Sequence, residues 1–225
     1  MYEASARALV YRFLSLGFSF PEGEALAALQ DEAAWPTLSR VVAPIPECQV
    51  ALAEMKDTAE AVSTTEQSLK ALQVEYTRLF INAVPRVPAP PYESVYLGQG
   101  RVMGEPASRV LAAYREAGLA PSQGWREPPD HVVVELEFAA YLLERQAEAL
   151  AAGEAEKATW WGERAQAFLE AHLWRWLPML AERVRASARH PFYDSLAALS
   201  GAWVASERER AGMVEYSPPS IQELM

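Results

Sequence analysis

The sequence predicts an all-α fold. Apolar residues recur three and four apart through most of the chain, no stretch keeps a strict apolar–polar alternation between turn signals, and proline, glycine and capping residues punctuate it at helix-length intervals. The expected architecture is a single compact helical domain of about nine to ten helices over residues 1–211, with a tail at 212–225 containing Pro218-Pro219. No fixed-period repeat and no low-complexity segment interrupts it.

The first helix is predicted from Tyr2 to near Gly17, with Leu9, Val10, Phe13 and Leu14 on one face and Pro21 confirming the break. Leu26 and Leu29 carry a short second helix over about 22–34. Pro36, Pro44 and Pro46 mark 35–46 as a connecting loop. A third helix runs from about Glu47 to Ala61, and a fourth opens at Thr64-Thr65-Glu66-Gln67, where Thr64 and Gln67 have capping-box spacing. Its stripe of Leu69, Leu72, Tyr76, Leu79 and Phe80 reads as core packing.

The stretch 82–100 holds Pro85, Pro88, Pro90 and Pro91 before Tyr92-Glu93-Ser94-Val95-Tyr96-Leu97, so its first half cannot be helical. Long connections without their own secondary structure are disordered or functional, and the aromatic residues favour an ordered loop. Pro106 and Gly118 bracket a fifth helix. In Trp125-Arg126-Glu127-Pro128-Pro129-Asp130-His131, Pro128 or Pro129 is expected at the first helical position and Asp130 in the first turn of a sixth helix ending near Gly153. Read alone, Asp130 is a cap and His131 a satisfied surface imidazole. A seventh helix is expected over roughly 154–174, a break or restart at Pro178, and a last helix from Pro191 to about Ala211.

The 225 residues are 51% hydrophobic and 22% charged, enough to bury a sizeable core, and the net charge of −10 argues against nucleic acid or an anionic membrane as partner. A basic peptide fits better. One cysteine, Cys48, excludes an internal disulfide and a Cys-rich zinc site. No stretch approaches the roughly 18 uncharged apolar residues of a membrane span. Arg7 and Arg12 lie in an amphipathic pattern with Glu3 and no clear cleavage site follows, so the chain is expected to be mature and cytoplasmic.

Catalytic chemistry is not evident. His131, His172 and His190 sit on different elements, and no HExxH, GxSxG, P-loop or GxGxxG occurs. His131 and Glu135, four apart, occur once and are a poor match to a di-iron bundle, and Asp130 and His131 diverge by about 100° on a helix. What the chain does supply is Tyr76, Phe80, Tyr92 and Tyr96 beside loops, which could line a peptide groove or simply pack.

From about Leu72 to Glu207 the motifs resemble the TorD/DmsD/NarJ family of redox-enzyme maturation chaperones. They are Tyr76-Thr77-Arg78-Leu79-Phe80, Pro90-Pro91-Tyr92-Glu93-Ser94-Val95-Tyr96-Leu97, Val102-Met103-Gly104, Tyr114-Arg115-Glu116-Ala117-Gly118-Leu119, Glu127-Pro128-Pro129-Asp130-His131, His172-Leu173-Trp174-Arg175-Trp176-Leu177-Pro178 and His190-Pro191-Phe192-Tyr193, in that order. The resemblance implies an all-helical cytoplasmic chaperone, not an enzyme. It would bind the twin-arginine signal peptide or N-terminus, and the apo-form, of a molybdoenzyme catalytic subunit, and assist its folding, cofactor insertion and export. The peptide site it implies comprises Tyr76, Leu79, Phe80, Pro91, Tyr92, Tyr96, Gly104, Glu127, Pro128, Asp130 and His131. Some members carry tryptophan where this chain has Tyr76, Tyr92 and Tyr96. An assembly factor of the nitrate reductase type, acting on a non-exported enzyme, is the alternative, and a GTP-dependent enzyme a weaker third. No metal and no tightly bound cofactor is expected, with transient contact to molybdopterin cofactor or GTP left open. A monomer or a domain-swapped dimer, without membrane insertion, is expected.

The residues and the resemblance agree physically. Two guanidinium groups followed by an apolar stretch would meet carboxylates at Glu127 and Asp130 and an aromatic groove. Three buried apolar guest residues contribute roughly 2 kcal/mol each, charge-assisted bonds add a few more, and ordering the peptide costs about 2–5 kcal/mol, so affinity near the micromolar range is expected when the ordering cost is at its low end.

Overall fold

In the computed structural model, residues 2–22, 25, 27, 29, 31–62, 66–120 and 127–212 are described. Among the described residues the α-helices are, in chain order, α1 (Tyr2–Phe18), α2 (Ala34–Val42), α3 (Pro46–Val62), α4 (Glu66–Tyr76), α5 (Glu93–Leu97), α6 (Glu105–Glu116), α7 (Val132–Ala151), α8 (Ala155–Ala171), α9 (Leu173–Ser187) and α10 (Pro191–Arg210). Residues 25, 27 and 29 are also helical, and α4 runs on into a π-helical turn, Thr77–Ile81. No strand occurs among the described residues, only an isolated antiparallel bridge between Tyr92 and His131. Leu26, Thr64, Thr65, Trp125, Arg126 and residues 213–225, for which the sequence carries expectations, lie outside the described residues.

Helix α7 packs against α1 on one side and α8 on the other, while α10 packs against α3 and α9. One continuous apolar cluster from Ala8 to Val204 joins both groups. Its largest fully buried side chains include Trp174, Trp176, Tyr11 and Tyr193. No described helix is long and apolar enough to cross a membrane.

Two proline positions depart from expectation. Residues 35–42, expected as loop, belong to α2, because Pro36 stands in the first turn, where a missing N–H has no intrahelical acceptor to lose. Pro178 does not break its helix either: α9 runs through it. Proline deprives the carbonyl four residues back of its donor, and here that carbonyl, of Trp174, accepts from Arg208 Nη1 of α10 at 3.1 Å. The break falls earlier, at His172, whose backbone (φ −124°, ψ −94°) leaves the helical region between α8 and α9.

The predicted stripe continues into the π turn, where Leu79 and its neighbour Phe80 are both buried, at 0% and 4% exposure. Gly118 (φ +78°) and Gly153 (φ +73°) lie just beyond α6 and α7, in the left-handed conformation that glycine adopts without strain.

Candidate functional site

The start of α7 and the Pro-Pro loop are built as one unit. Pro90 and Pro91 hold the chain extended, and the Pro91 carbonyl accepts from Val132 N at 2.9 Å, giving the first amide of α7 an acceptor. The next amide, Val133 N, donates to His131 Nδ1 at 3.2 Å, so His131 is the N-cap. The sixth helix therefore begins at Val132, not at Pro128 or Pro129, and Asp130 precedes its cap. Asp130 caps a different helix: Oδ2 accepts from Ser94 N in the first turn of α5 at 2.9 Å, while its own carbonyl accepts from Glu93 N at 3.0 Å. A cap was the sequence reading, and only the fold reveals which helix receives it.

Burial divides the predicted site residues. Asp130 is wholly buried and His131 is 8% exposed, so the Asp130 carboxylate lies beneath the surface and not on a charged rim. Tyr76, Phe80 and Tyr96 are each 6% exposed or less, and in this conformation their rings do not line an open groove. Tyr76 donates its hydroxyl to the Phe18 carbonyl at 3.1 Å and packs against Phe20, Phe80 and Tyr193. Tyr96 lies against Trp176, with the Arg183 guanidinium 4.6 Å from its ring centre. Leu79 is in the core, and its carbonyl accepts from Ala89 N at 3.0 Å, which ties the loop to the π turn. Pro91 is buried and Pro128 half-buried. Gly104 caps α6 with extended backbone, beside Ser94.

The accessible part is small. Tyr92 is half-buried, its ring edge-on to His131 at 5.2 Å, and the exposed Glu127 lies close enough for its charge to act on the Tyr92 hydroxyl. Tyr92, Glu127, Pro128 and the edge of His131 thus come together at the surface, with Tyr76 close enough to feel the Glu127 charge. A cleft of about 420 Å³ lies elsewhere, between α2 and α3, lined by Trp35, Val42, Leu52 and Lys56 among others, and touches none of the predicted residues.

Beneath the surface lie groups outside the predicted peptide site: Glu93, Glu135, His172 and Trp176. Glu93 and Glu135 are fully buried, and His172 is 4% exposed. Glu93 Oε2 meets His172 Nδ1 at 2.8 Å, and Glu135 Oε2 accepts from Trp176 Nε1 at 2.9 Å. One signal was available: Glu135 falls on the inward face of α7 with Val132, Leu136 and Ala139, where a carboxylate is out of place. His131 and Glu135 are both engaged in this way, and no group of three or more metal-ligating side chains is arranged to hold an ion among the described residues.

Burial lowers the His131 pKa to about 4 and keeps its ring neutral, with Nδ1 free to accept. Burial, then the Glu127 and Asp130 charges, raises the pKa of Tyr92. Because the His131 value is depressed from 6.5, the unfolded chain binds the proton first, and stability is lost as pH falls from 6.5 towards 4. The full loss is about 3 kcal/mol, less residual screening. Asparagine can keep the cap without titrating, so the difference in unfolding free energy between wild type and His131→Asn should shift over that window. Parallel curves in denaturant titrations at several pH values would refute the assignment.

A sequence profile of the family described as nitrate reductase delta subunit matches residues 45–182, which includes every predicted site residue. The chain is 30% identical to the chaperone protein TorD of Vibrio cholerae, over 69% of this chain and 70% of the relative. It is 28% identical to the perchlorate reductase assembly chaperone protein of Dechloromonas aromatica, over 91% and 89%. A crystal structure assigned as a redox enzyme maturation protein from Archaeoglobus fulgidus superposes with a TM-score of 0.54 at 25% identity, covering 85% of this chain and 91% of that one.

Proposed function

The chain belongs to the nitrate reductase delta subunit family, the TorD/NarJ group of maturation chaperones, and from that premise we propose that it is a non-enzymatic chaperone for the catalytic subunit of a molybdenum-dependent oxidoreductase. Its binding site for the client's twin-arginine leader is centred on Tyr92, Glu127 and His131. The observation that carries this reading is that an aromatic ring and an exposed carboxylate come together at the surface: Tyr92 offers an apolar face, and the Glu127 carboxylate beside it supplies the charge that a guest guanidinium seeks. The net charge of −10 favours encounter with a basic peptide. The exposed Ile81 and Val84, which follow Phe80 in the chain, extend apolar surface for the rest of the leader. Pro128 lies in that surface, and Tyr76, Leu79, Phe80, Pro91, Tyr96, Gly104 and Asp130 hold it in place.

A synthetic leader titrated into the purified chain is expected to bind near the micromolar range, and more weakly as salt rises. Glu127→Lys is expected to reduce affinity about tenfold or more, combining loss of an exposed pair with introduced repulsion. The same variant should bind a leader with both arginines replaced by glutamine as well as wild type does. Equal loss for both peptides would remove Glu127 from guanidinium recognition.

The description of the matched family, a nitrate reductase subunit, favours a second reading, in which the chain grips the apo catalytic subunit of a non-exported enzyme. Co-purification with a leaderless catalytic subunit, and no affinity for the isolated leader, would establish that reading over the first.

A further inference from the structure

Under the proposed surface two carboxyl groups face each other across helices. Glu93 opens α5, Glu135 lies in the first turn of α7, both are fully buried, and their partners His172 and Trp176 stand four residues apart at the start of α9, which makes the two carboxyls neighbours. Each spends one oxygen elsewhere, on His172 Nδ1 at 2.8 Å and on Trp176 Nε1 at 2.9 Å. The other oxygens, Glu93 Oε1 and Glu135 Oε1, have no donor in the structure. Two ionised carboxylates cannot satisfy each other, because neither carries a hydrogen, and two bare negative charges in the core repel. One proton answers both problems. With Glu135 Oε1–H donating to Glu93 Oε1, Trp176, Glu135, Glu93 and His172 become an unbroken chain.

We propose that Glu93 and Glu135 hold one proton in common and act as positioning residues for the Tyr92–His131 surface. Glu93 follows Tyr92 directly and is fixed at both ends, its amide by the Asp130 carbonyl and its carboxyl by Glu135 and His172. The shared proton thereby pins α5 to α7 and holds the Tyr92 ring against His131. Removing it leaves two negative charges in the core, and α5 loosens.

The surroundings agree. Burial first, then Glu93 and Asp130, holds the Glu135 carboxyl well above the usual range. The other titratable groups facing the pair are His172, from the α8–α9 junction, and Tyr114 of α6, whose own ionisation is pushed up by burial and by the same three carboxylates. Since the folded chain binds this proton more tightly than the unfolded one, the clamp is complete at low pH and is lost as pH rises through the folded value.

The test is carbon-13 NMR titration of side-chain carboxyls, with amide protection factors for Glu93 and Ser94, in wild type, E135Q and E135A. Wild type should keep one carboxyl of the pair protonated at neutral pH, and α5 protection should fall about tenfold or more as that group titrates. In E135Q the amide nitrogen can donate to Glu93 and the amide oxygen accept from Trp176, so protection should be retained and become independent of pH. In E135A it should be low throughout. Two ionised carboxyls in neutral wild type, or E135Q behaving like E135A, would overturn the proposal. Its consequence for leader affinity rests on the peptide site proposed above, whereas titration and protection are read without peptide. A clamp that behaves as expected beside leader binding that ignores it would count against that site alone.

Discussion

Glu207→Ala is expected to lower the unfolding free energy by about 3–5 kcal/mol, the range for removing one partner from a buried ionic network. Glu207, near the end of α10, is 1% exposed and accepts from Arg7 Nε and Nη2, the latter at 2.7 Å, from the Tyr11 hydroxyl at 3.0 Å, and from Arg210. Tyr11 in turn accepts from Trp174 Nε1 at 3.0 Å. Alanine would strand Arg7, whose guanidinium is already disfavoured by burial, and take an acceptor from Tyr11, whose pKa burial raises to about 12. In a chain of this length the melting temperature should fall by roughly 10 °C. The double variant Arg7→Met, Glu207→Leu should recover part of that loss, because an apolar pair of similar shape carries no desolvation penalty. Thermal unfolding of the single and double variants measures both effects; a drop under about 1 kcal/mol for Glu207→Ala would mean that water replaces the network.

Tyr92→Ala is expected to weaken leader binding by at least about 2 kcal/mol, roughly thirtyfold, as for an aromatic anchor at the centre of an interface. The fold should tolerate it. The ring is half-buried, and its edge contact with His131 contributes about 0.5–1.5 kcal/mol. Tyr92→Phe separates the two functions of this side chain: the ring stays against His131 and only the hydroxyl is lost, so most of the affinity should remain. Calorimetric titration of one leader into the three proteins reads this directly. Unchanged affinity in Tyr92→Ala would move the site to rings that are covered in this conformation, Tyr76 and Phe80 first.

The comparison of sequence with structure turns on which forces are local. The helical class, the apolar faces of α1 and α4, the start of α3 to within a residue of Glu47 and the glycines beyond α6 and α7 were all legible, because spacing, proline geometry and glycine conformation act within a few residues. The motifs that carry the family resemblance were legible in the same way, as order along the chain. Pro178 misled, because its cost is met by Arg208, thirty residues away in sequence and adjacent only in the fold. His172 misled for the same reason: the helix breaks where the histidine meets Glu93.

Sequence by itself determined the class of the fold, most helix boundaries to within a turn, and the family. Tertiary structure alone decided that Asp130 caps α5 and not its own helix, that Tyr76, Phe80 and Tyr96 are covered while Tyr92 is presented, and that Glu93 and Glu135 meet. The reason is physical. Hydrogen-bond partners and burial depend on what a second helix brings into contact, and a carboxylate reads the same in a sequence whether it will face water or another carboxylate.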